Sequence, residues 1–130
     1  MVTSSYSRPV VIVDDEALVR DALLDLFDEA GFPACAFSSG EDFLASGCQY
    51  ECSCLITDLR MPGMSGFDLQ SRLNAERLSI PIIFISAHGD ERMRLHALRR
   101  GAVEFLAKPF DDEVLLKTVR AALANRSTPD

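Results

Sequence analysis

The stretch CLITDLRMPGMSG, Cys54 to Gly66, begins as an apolar run and meets the carboxylate of Asp58. It then breaks into a loop holding one proline and two glycines. Its first residues read as a strand buried on both faces, the kind a parallel sheet requires. A buried strand that ends on a charge needs a reason, because charged groups avoid the interior unless they are paired.

Working outward, the same alternation repeats on both sides. PVVIVD (Pro9–Asp14) is a β-branched run with the same buried-strand signature. EALVRDALLDLFDEAG follows it with Leu18, Ala22, Leu26 and Ala30 at i, i+4 spacing, and Val19 and Leu23 beside them. That spacing predicts a helix whose apolar stripe carries these residues, with Gly31 at its carboxyl end. PACAFS is a weaker strand, and SGEDFLAS a short helix entered through Ser or Gly. After SCLITD comes SGFDLQSRLNAE, a helix offering Phe67, Leu69 and Leu73 to the core. IPIIFISA, DERMRLHALRRG and AVEFLAK read as strand, helix and strand. PFDDEVLLKTVRAALAN closes as a helix with Asp111 as N-cap and Val114, Leu115, Val119 and Leu123 apolar.

Strand and helix thus alternate five times, which implies a parallel sheet covered by helices on both faces. Length supports one domain: 130 residues, 48% hydrophobic and 25% charged. The expectation is a single domain over 1–130, with its core at about 8–125 and polar ends at 1–7 and 126–130. A net charge of −7 argues against a nucleic-acid surface and suits a cation-binding acidic cluster. No apolar run reaches the ~20 residues that span a bilayer. The start MVTSSYSRPVVIVDD lacks the layout of a signal peptide, so the expected location is cytoplasmic. Cys48, Cys52 and Cys54 form C-x3-C-x-C with Cys35 apart, a spacing that lacks the paired pattern of a zinc site. Reduced, partly buried thiols are expected.

In such sheets, sites form at the carboxyl ends of the strands. Those ends carry Asp14, Asp15 and Glu16, then Asp58, then Ser86-Ala87-His88, then Lys108-Pro109. Each has an ordinary explanation alone: a helix N-cap, a turn former, a backbone-bonded hydroxyl, a solvated charge. Together they place carboxylates, a hydroxyl and an ammonium on one rim. Clustered carboxylates repel, and Mg²⁺ relieves that conflict through oxygen ligands it shares with phosphate. An Asp beside such an ion can serve as a nucleophile toward phosphorus. Lys108 would give a point charge and Ser86 a hydroxyl donor to phosphoryl oxygens.

The sequence resembles the response-regulator receiver domains of two-component signalling. The resemblance rests on VDDE at 13–16, TDLRMPGMSG at 57–66, ISAHGD at 85–90 and GAVEFLAKPF at 101–110, within about Arg8 to Asn125. RMPGMSG, HGD and FLAKPFDD are similar to the FixJ-type subgroup. The resemblance implies a flavodoxin-like α/β fold of five strands in order 2-1-3-4-5. It implies Asp58 as phosphoacceptor and Mg²⁺ held by Asp15, by Asp14 through water, by Asp58 and by the backbone carbonyl of Arg60. It further implies Ser86 as switch hydroxyl, Phe105 as switch aromatic, and Lys108 before a cis proline. Phe105 could equally be a plain core residue of the last strand. Arg60 and His88 flank the site and are placed to tune water access.

The implied partners are a sensor histidine kinase, a second copy through the face of the fourth helix and fifth strand, and a DNA-binding output domain outside these residues. The arginines of ERMRLHALRR would meet acids on that second copy, or else simply face solvent. No enzyme activity beyond the domain's own phosphorylation and dephosphorylation is expected. A haloacid-dehalogenase-type phosphatase would need a second Asp where Arg60 stands. A receiver-like module that is never phosphorylated would not need the acids, Ser86 and Lys108 together.

Overall fold

A computed structural model describes residues 8–87 and 91–127. The expectations for His88, Gly89 and Asp90 lie outside the described residues, as do the extreme ends. The elements in chain order are β1 (Val10–Val13), α1 (Ala17–Glu29), β2 (Ala34–Phe37), α2 (Gly40–Ser46), a 3-10 turn (Cys48–Tyr50), β3 (Cys54–Asp58), α3 (Gly66–Ala75), β4 (Ile82–Ser86), α4 (Glu91–Arg99), β5 (Glu104–Ala107) and α5 (Asp112–Ser127). All strand pairs are parallel, and the sheet order is β2-β1-β3-β4-β5. This is the flavodoxin-like arrangement that the resemblance implies. α5 runs on through Arg126 and Ser127, past the expected end at Asn125.

The three inner strands are buried along their whole length, whereas β2 at one edge is half-buried throughout. This explains why VVIV, CLITD and IIFIS read clearly and ACAF weakly. Side chains alternate between the two faces. Val11, Val13, Leu55, Ile82, Phe84 and Phe105 pack under α2, α3 and α4, against Phe43, Leu69, Leu73 and Ala97. Val10, Ile12, Cys54, Ile56, Ile83 and Ile85 pack under α1 and α5, against Leu23, Phe27, Leu115, Val119 and Leu123.

Local signals fix the helix ends. The Ser39 hydroxyl accepts from the Asp42 N–H at 3.1 Å, and Ser65 forms a reciprocal capping box with Asp68. The Asp111 carboxylate accepts from the Glu113 N–H at 2.8 Å, the cap expected for α5. After α1, Gly31 takes φ +88, and the Phe32 N–H returns to the Phe27 carbonyl at 2.9 Å. That is the glycine-closed helix end its position suggests.

One expectation about α1 is corrected. Leu18, placed on the apolar stripe, is 84% exposed, and the stripe is centred on Leu23 and Phe27 instead. Ala22, one turn on from Leu18, is exposed as well, so the buried stripe lies one residue further round the helix, along Val19, Leu23 and Phe27. Val114 in the first turn of α5 is likewise 45% exposed, while Leu115, Val119 and Leu123 are buried.

The polar interior also differs from expectation. Gln70 is buried and donates from Nε2 to the carbonyls of Ala97 and Arg100, both at 3.3 Å. Asn74 Nδ2 donates to the Arg100 carbonyl at 3.3 Å. Two amides of α3 therefore hold the carboxyl end of α4. The four cysteines form no disulfide, with Cys52 and Cys54 buried and Cys35 and Cys48 half-buried.

Two measurements check this packing. Phe27→Ala should cost about 3–5 kcal/mol in urea unfolding, whereas Leu18→Ala should stay within about 0.5 kcal/mol. Burial, reinforced by neighbouring Cys48, pushes the Cys35 thiol up to about 11. Peptide mapping after iodoacetamide treatment at pH 7.5 should therefore find Cys35 modified far more slowly in the folded than in the urea-unfolded chain, in line with roughly a hundredfold less thiolate.

Candidate functional site

Parallel pairing brings every strand's carboxyl end to one edge, so Asp14, Asp58, Ser86 and Lys108 share a rim despite their separation in sequence. Backbone bonds continue the ladder past the strands. The Asp14 N–H reaches the Phe37 carbonyl at 3.2 Å, Leu59 N–H that of Ile85 at 3.3 Å, and Lys108 N–H that of Ser86 at 2.8 Å. The rim residues are thus held by the sheet itself.

Lys108 sits at the centre. Its Nζ lies 3.2 Å from Asp14 Oδ2, 3.4 Å from Asp58 Oδ2 and 3.6 Å from Glu16 Oε1. Asp14 is fully buried and Asp58 nearly so, while Glu16 is exposed. Burial pushes the Asp14 carboxyl above the usual range, and the Asp58 charge adds to this. The Glu16 N–H, which donates to Asp14 Oδ1 at 2.9 Å, and the Lys108 ammonium work against the rise without cancelling it. Burial alone would lower Lys108, but Asp14 and Asp58 outweigh it and hold the ammonium above its ordinary value. The Lys108–Pro109 peptide bond is cis, as the resemblance implies.

A cleft of about 300 Å³ opens here, lined by Asp15, Glu16, Asp58, Arg60, Ser86, Ala87 and Lys108. Among the described residues, carboxylate oxygens of Asp14, Glu16 and Asp58 lie within 4.8 Å of one another. The donors are all hard oxygens, which fit Mg²⁺ and not a thiol- or imidazole-seeking metal. Asp15 lines the same cleft from its exposed side. Glu16, which the sequence reading placed at the strand end but gave no role, joins the cluster in its place. A hollow of about 700 Å³ lies at the opposite, amino ends of β4 and β5, and no carboxylate lines it.

The loop from Leu59 to Gly66 is closed at its base by a Gly66 N–H bond to the Leu59 carbonyl, 2.8 Å. A Cβ on Gly66 would stand 2.5 Å from the Asp58 carbonyl oxygen and 2.9 Å from the Phe84 ring. Glycine is therefore required where α3 passes closely over the end of β3. Phe105 is already buried, 6.2 Å between centroids from Phe84. Phe84 in turn meets Phe67 at 5.4 Å, and Phe67 meets His96 on α4 at 4.8 Å.

The sequence reading missed two contacts. Arg20 on α1 donates to the Asp14 carbonyl at 2.7 Å, and the buried Thr57 hydroxyl donates to the Asp58 carbonyl at 3.0 Å. The basic run of α4 is partly engaged within the chain: Arg94 pairs with Glu91 at 3.0 Å and with Glu104 at 3.2 Å.

Residues 10–120 match the response regulator receiver domain family. The chain belongs to that family. Receiver-containing relatives include Nodulation protein W of Bradyrhizobium diazoefficiens, 44% identical over 92% of this chain and 52% of that protein. The transcriptional regulatory protein FixJ of Azorhizobium caulinodans is 38% identical over 90% of this chain and 56% of its own length. The chain thus spans about half the length of the curated relatives it matches. Among solved receiver structures, that of FixJ-N superposes with a TM-score of 0.83 at 38% identity, covering 95% of this chain and 98% of that one. The FixJ-type resemblance holds, and the relatives are signalling and transcriptional regulators.

Replacing Lys108 tests the charge balance of this receiver domain. Lys108→Met should cost about 3–5 kcal/mol at pH 7 without added metal, since it strands buried carboxylates. With a raised folded pKa, Asp14 binds protons more readily in the folded state, so acidification favours folding. Urea melts should therefore show a smaller penalty for the variant at pH 5 than at pH 7.

Proposed function

We propose that this receiver domain takes a phosphoryl group from a phosphohistidine of a sensor histidine kinase onto Asp58, with Mg²⁺, and reports it through the face of α4, β5 and α5. The observation that carries the reading is the Asp58 carboxylate at the sheet's rim, sharing the Lys108 ammonium with buried Asp14. A carboxylate oxygen of Asp58 attacks phosphorus, and the phosphorus–nitrogen bond to the kinase imidazole breaks. The electron pair leaves with the imidazole, and an aspartyl phosphate remains. Such transfers depend chiefly on positioning and charge neutralisation.

Asp14, Asp15 and Asp58, with the Arg60 carbonyl, would hold the metal, and Glu16 brings a further carboxylate within reach. Bound Mg²⁺ supplies positive charge against the phosphoryl oxygens. Lys108 swings its ammonium from Asp58 toward the new phosphoryl oxygens, and the Ser86 hydroxyl donates to another. Arg60, on the rim of the cleft, controls water access. The phosphorylated form favours the packing with Ser86 drawn in and Phe105 held inward, a population shift that requires the phosphoryl group to bind that packing better.

The altered face would meet a second copy or an output domain, DNA-binding in a transcription regulator of the FixJ kind. Residues 8–125 form the core of one receiver unit, which catalyses only its own phosphorylation and dephosphorylation. The net charge of −7 leaves nucleic acid to the output domain. Among the described residues no helix is long and apolar enough to cross a membrane. A cytoplasmic location suits a domain served by a kinase's phosphohistidine.

Incubation with acetyl phosphate and Mg²⁺, followed by intact-mass measurement, should add one phosphoryl group, and Asp58→Asn should abolish the addition. Beryllofluoride should shift amide resonances around Ser86 and Phe105 in the parent chain but not in the variant. A chain unchanged under both treatments would be an unphosphorylated interaction module instead.

A further inference from the structure

The loop that carries Arg60 is held at its base, at its apex, and by Met61 and Met64 packed against the core. Its base is tied by the Gly66–Leu59 bond. Its apex, Gly63-Met64, meets the first turn of α2. There the Glu41 carboxylate accepts from the Met64 N–H at 3.1 Å. The same oxygen stands where a Cβ on Gly63 would lie 2.6 Å away, and Gly63 takes φ +77. On the α2 side, a Cβ on Gly40 would be 3.0 Å from Met64 Sδ, so the Met64 side chain lies close over that backbone. Glycines on both sides thus leave room for one acid to seat on the loop.

Resting on the phosphoacceptor reading above, we infer that Glu41 is a positioning residue for the metal site: it clamps the apex of the Leu59–Gly66 loop and so aims the Arg60 carbonyl into the cleft. Glu41 is not among the cleft-lining residues, so it acts through the backbone and not on the ion. The hydrogen bond is charge-assisted, carboxylate to backbone N–H, the stronger class of such contacts. Met61 and Met64 also pack against the core, but the Glu41 contact holds the apex backbone N–H, and without it the apex can turn and carry the Arg60 carbonyl with it. Outer partners that orient metal ligands commonly matter ten- to a hundredfold for affinity.

The test is a Mg²⁺ titration of the full chain, followed by amide NMR shifts of residues 58–66 and compared with thermal melts in metal-free buffer. Glu41→Ala should raise the half-saturating Mg²⁺ concentration roughly tenfold and speed hydrogen exchange at the Met64 amide. Phosphorylation by acetyl phosphate at saturating Mg²⁺ should stay within about twofold, so that the loss is in affinity and not in the transfer step. Glu41→Gln, which keeps an acceptor oxygen, should recover most of the affinity. Gly63→Ala, which drives the carboxylate off the loop from the other side, should imitate Glu41→Ala. If Glu41→Ala lowers only the melting temperature while Mg²⁺ half-saturation is unchanged, Glu41 merely packs α2 and the inference fails. If the parent chain itself shows no Mg²⁺-dependent shift, the phosphoacceptor reading fails as well.

Discussion

Two buried carboxylates sharing one ammonium are the constraint around which the molecule is arranged. Asp14 and Asp58 lie on adjacent strands, and Lys108 reaches both from the far edge strand. A parallel sheet permits this because it sends all its carboxyl ends the same way. The cost of burying such charges is large unless they remain paired. The fold therefore supports the pair from beneath, with β1, β3 and β4 buried along their length. It also supports the pair from the side, with Arg20 and Thr57 fixing the backbone carbonyls of Asp14 and Asp58.

The rim and the core are one packing problem. Gly66 starts α3, approaches the Asp58 carbonyl and touches Phe84, whose ring lies between Phe67 and Phe105. A change at Asp58 thus bears on the same aromatic group that packs α3, and through His96 on α4. Close-packed interiors transmit displacement in this way because they have few voids to absorb it.

The architecture was legible because the three inner strands, buried on both faces, write continuous apolar runs, and five strands in all alternate with helical spacing. VVIV, CLITD and IIFIS were plain, and only edge strand ACAF was faint, its half-burial needing fewer large side chains. The rim was legible for a related reason: once the sheet is parallel, the residue after each strand has a known place. Leu18 and Ala22 were misread because two apolar rows, one through Leu18, Ala22 and Leu26 and one through Val19, Leu23 and Phe27, lie side by side on α1, and spacing alone does not say which faces the sheet. Glu16, Arg20 and Glu41 were missed as partners because each acts through loop or turn geometry. Their spacing carries no period, and an acid in the first turn of a helix already has an ordinary reason to be there. Gln70 hid for another reason: on a helix face read by its apolar members, a buried amide counts as polar until its partners are seen.

The amides of Gln70 and Asn74 give α4 an asymmetric mounting. Its last carbonyls are bound to α3, while its first residues follow directly on the segment leaving Ser86. A rod of nine residues, about 13 Å long at 1.5 Å per residue, would pivot about such a tethered end. Such a mounting would act as a lever, with its fulcrum beside α3 and its other arm, where Met93 rests on the core, at the carboxyl rim. Small shifts of backbone near Ser86 would then appear as a tilt of the whole exposed face instead of a slide. The angle between α4 and β5 would carry the information, and the Arg94–Glu104 pair spanning that angle would be its detent.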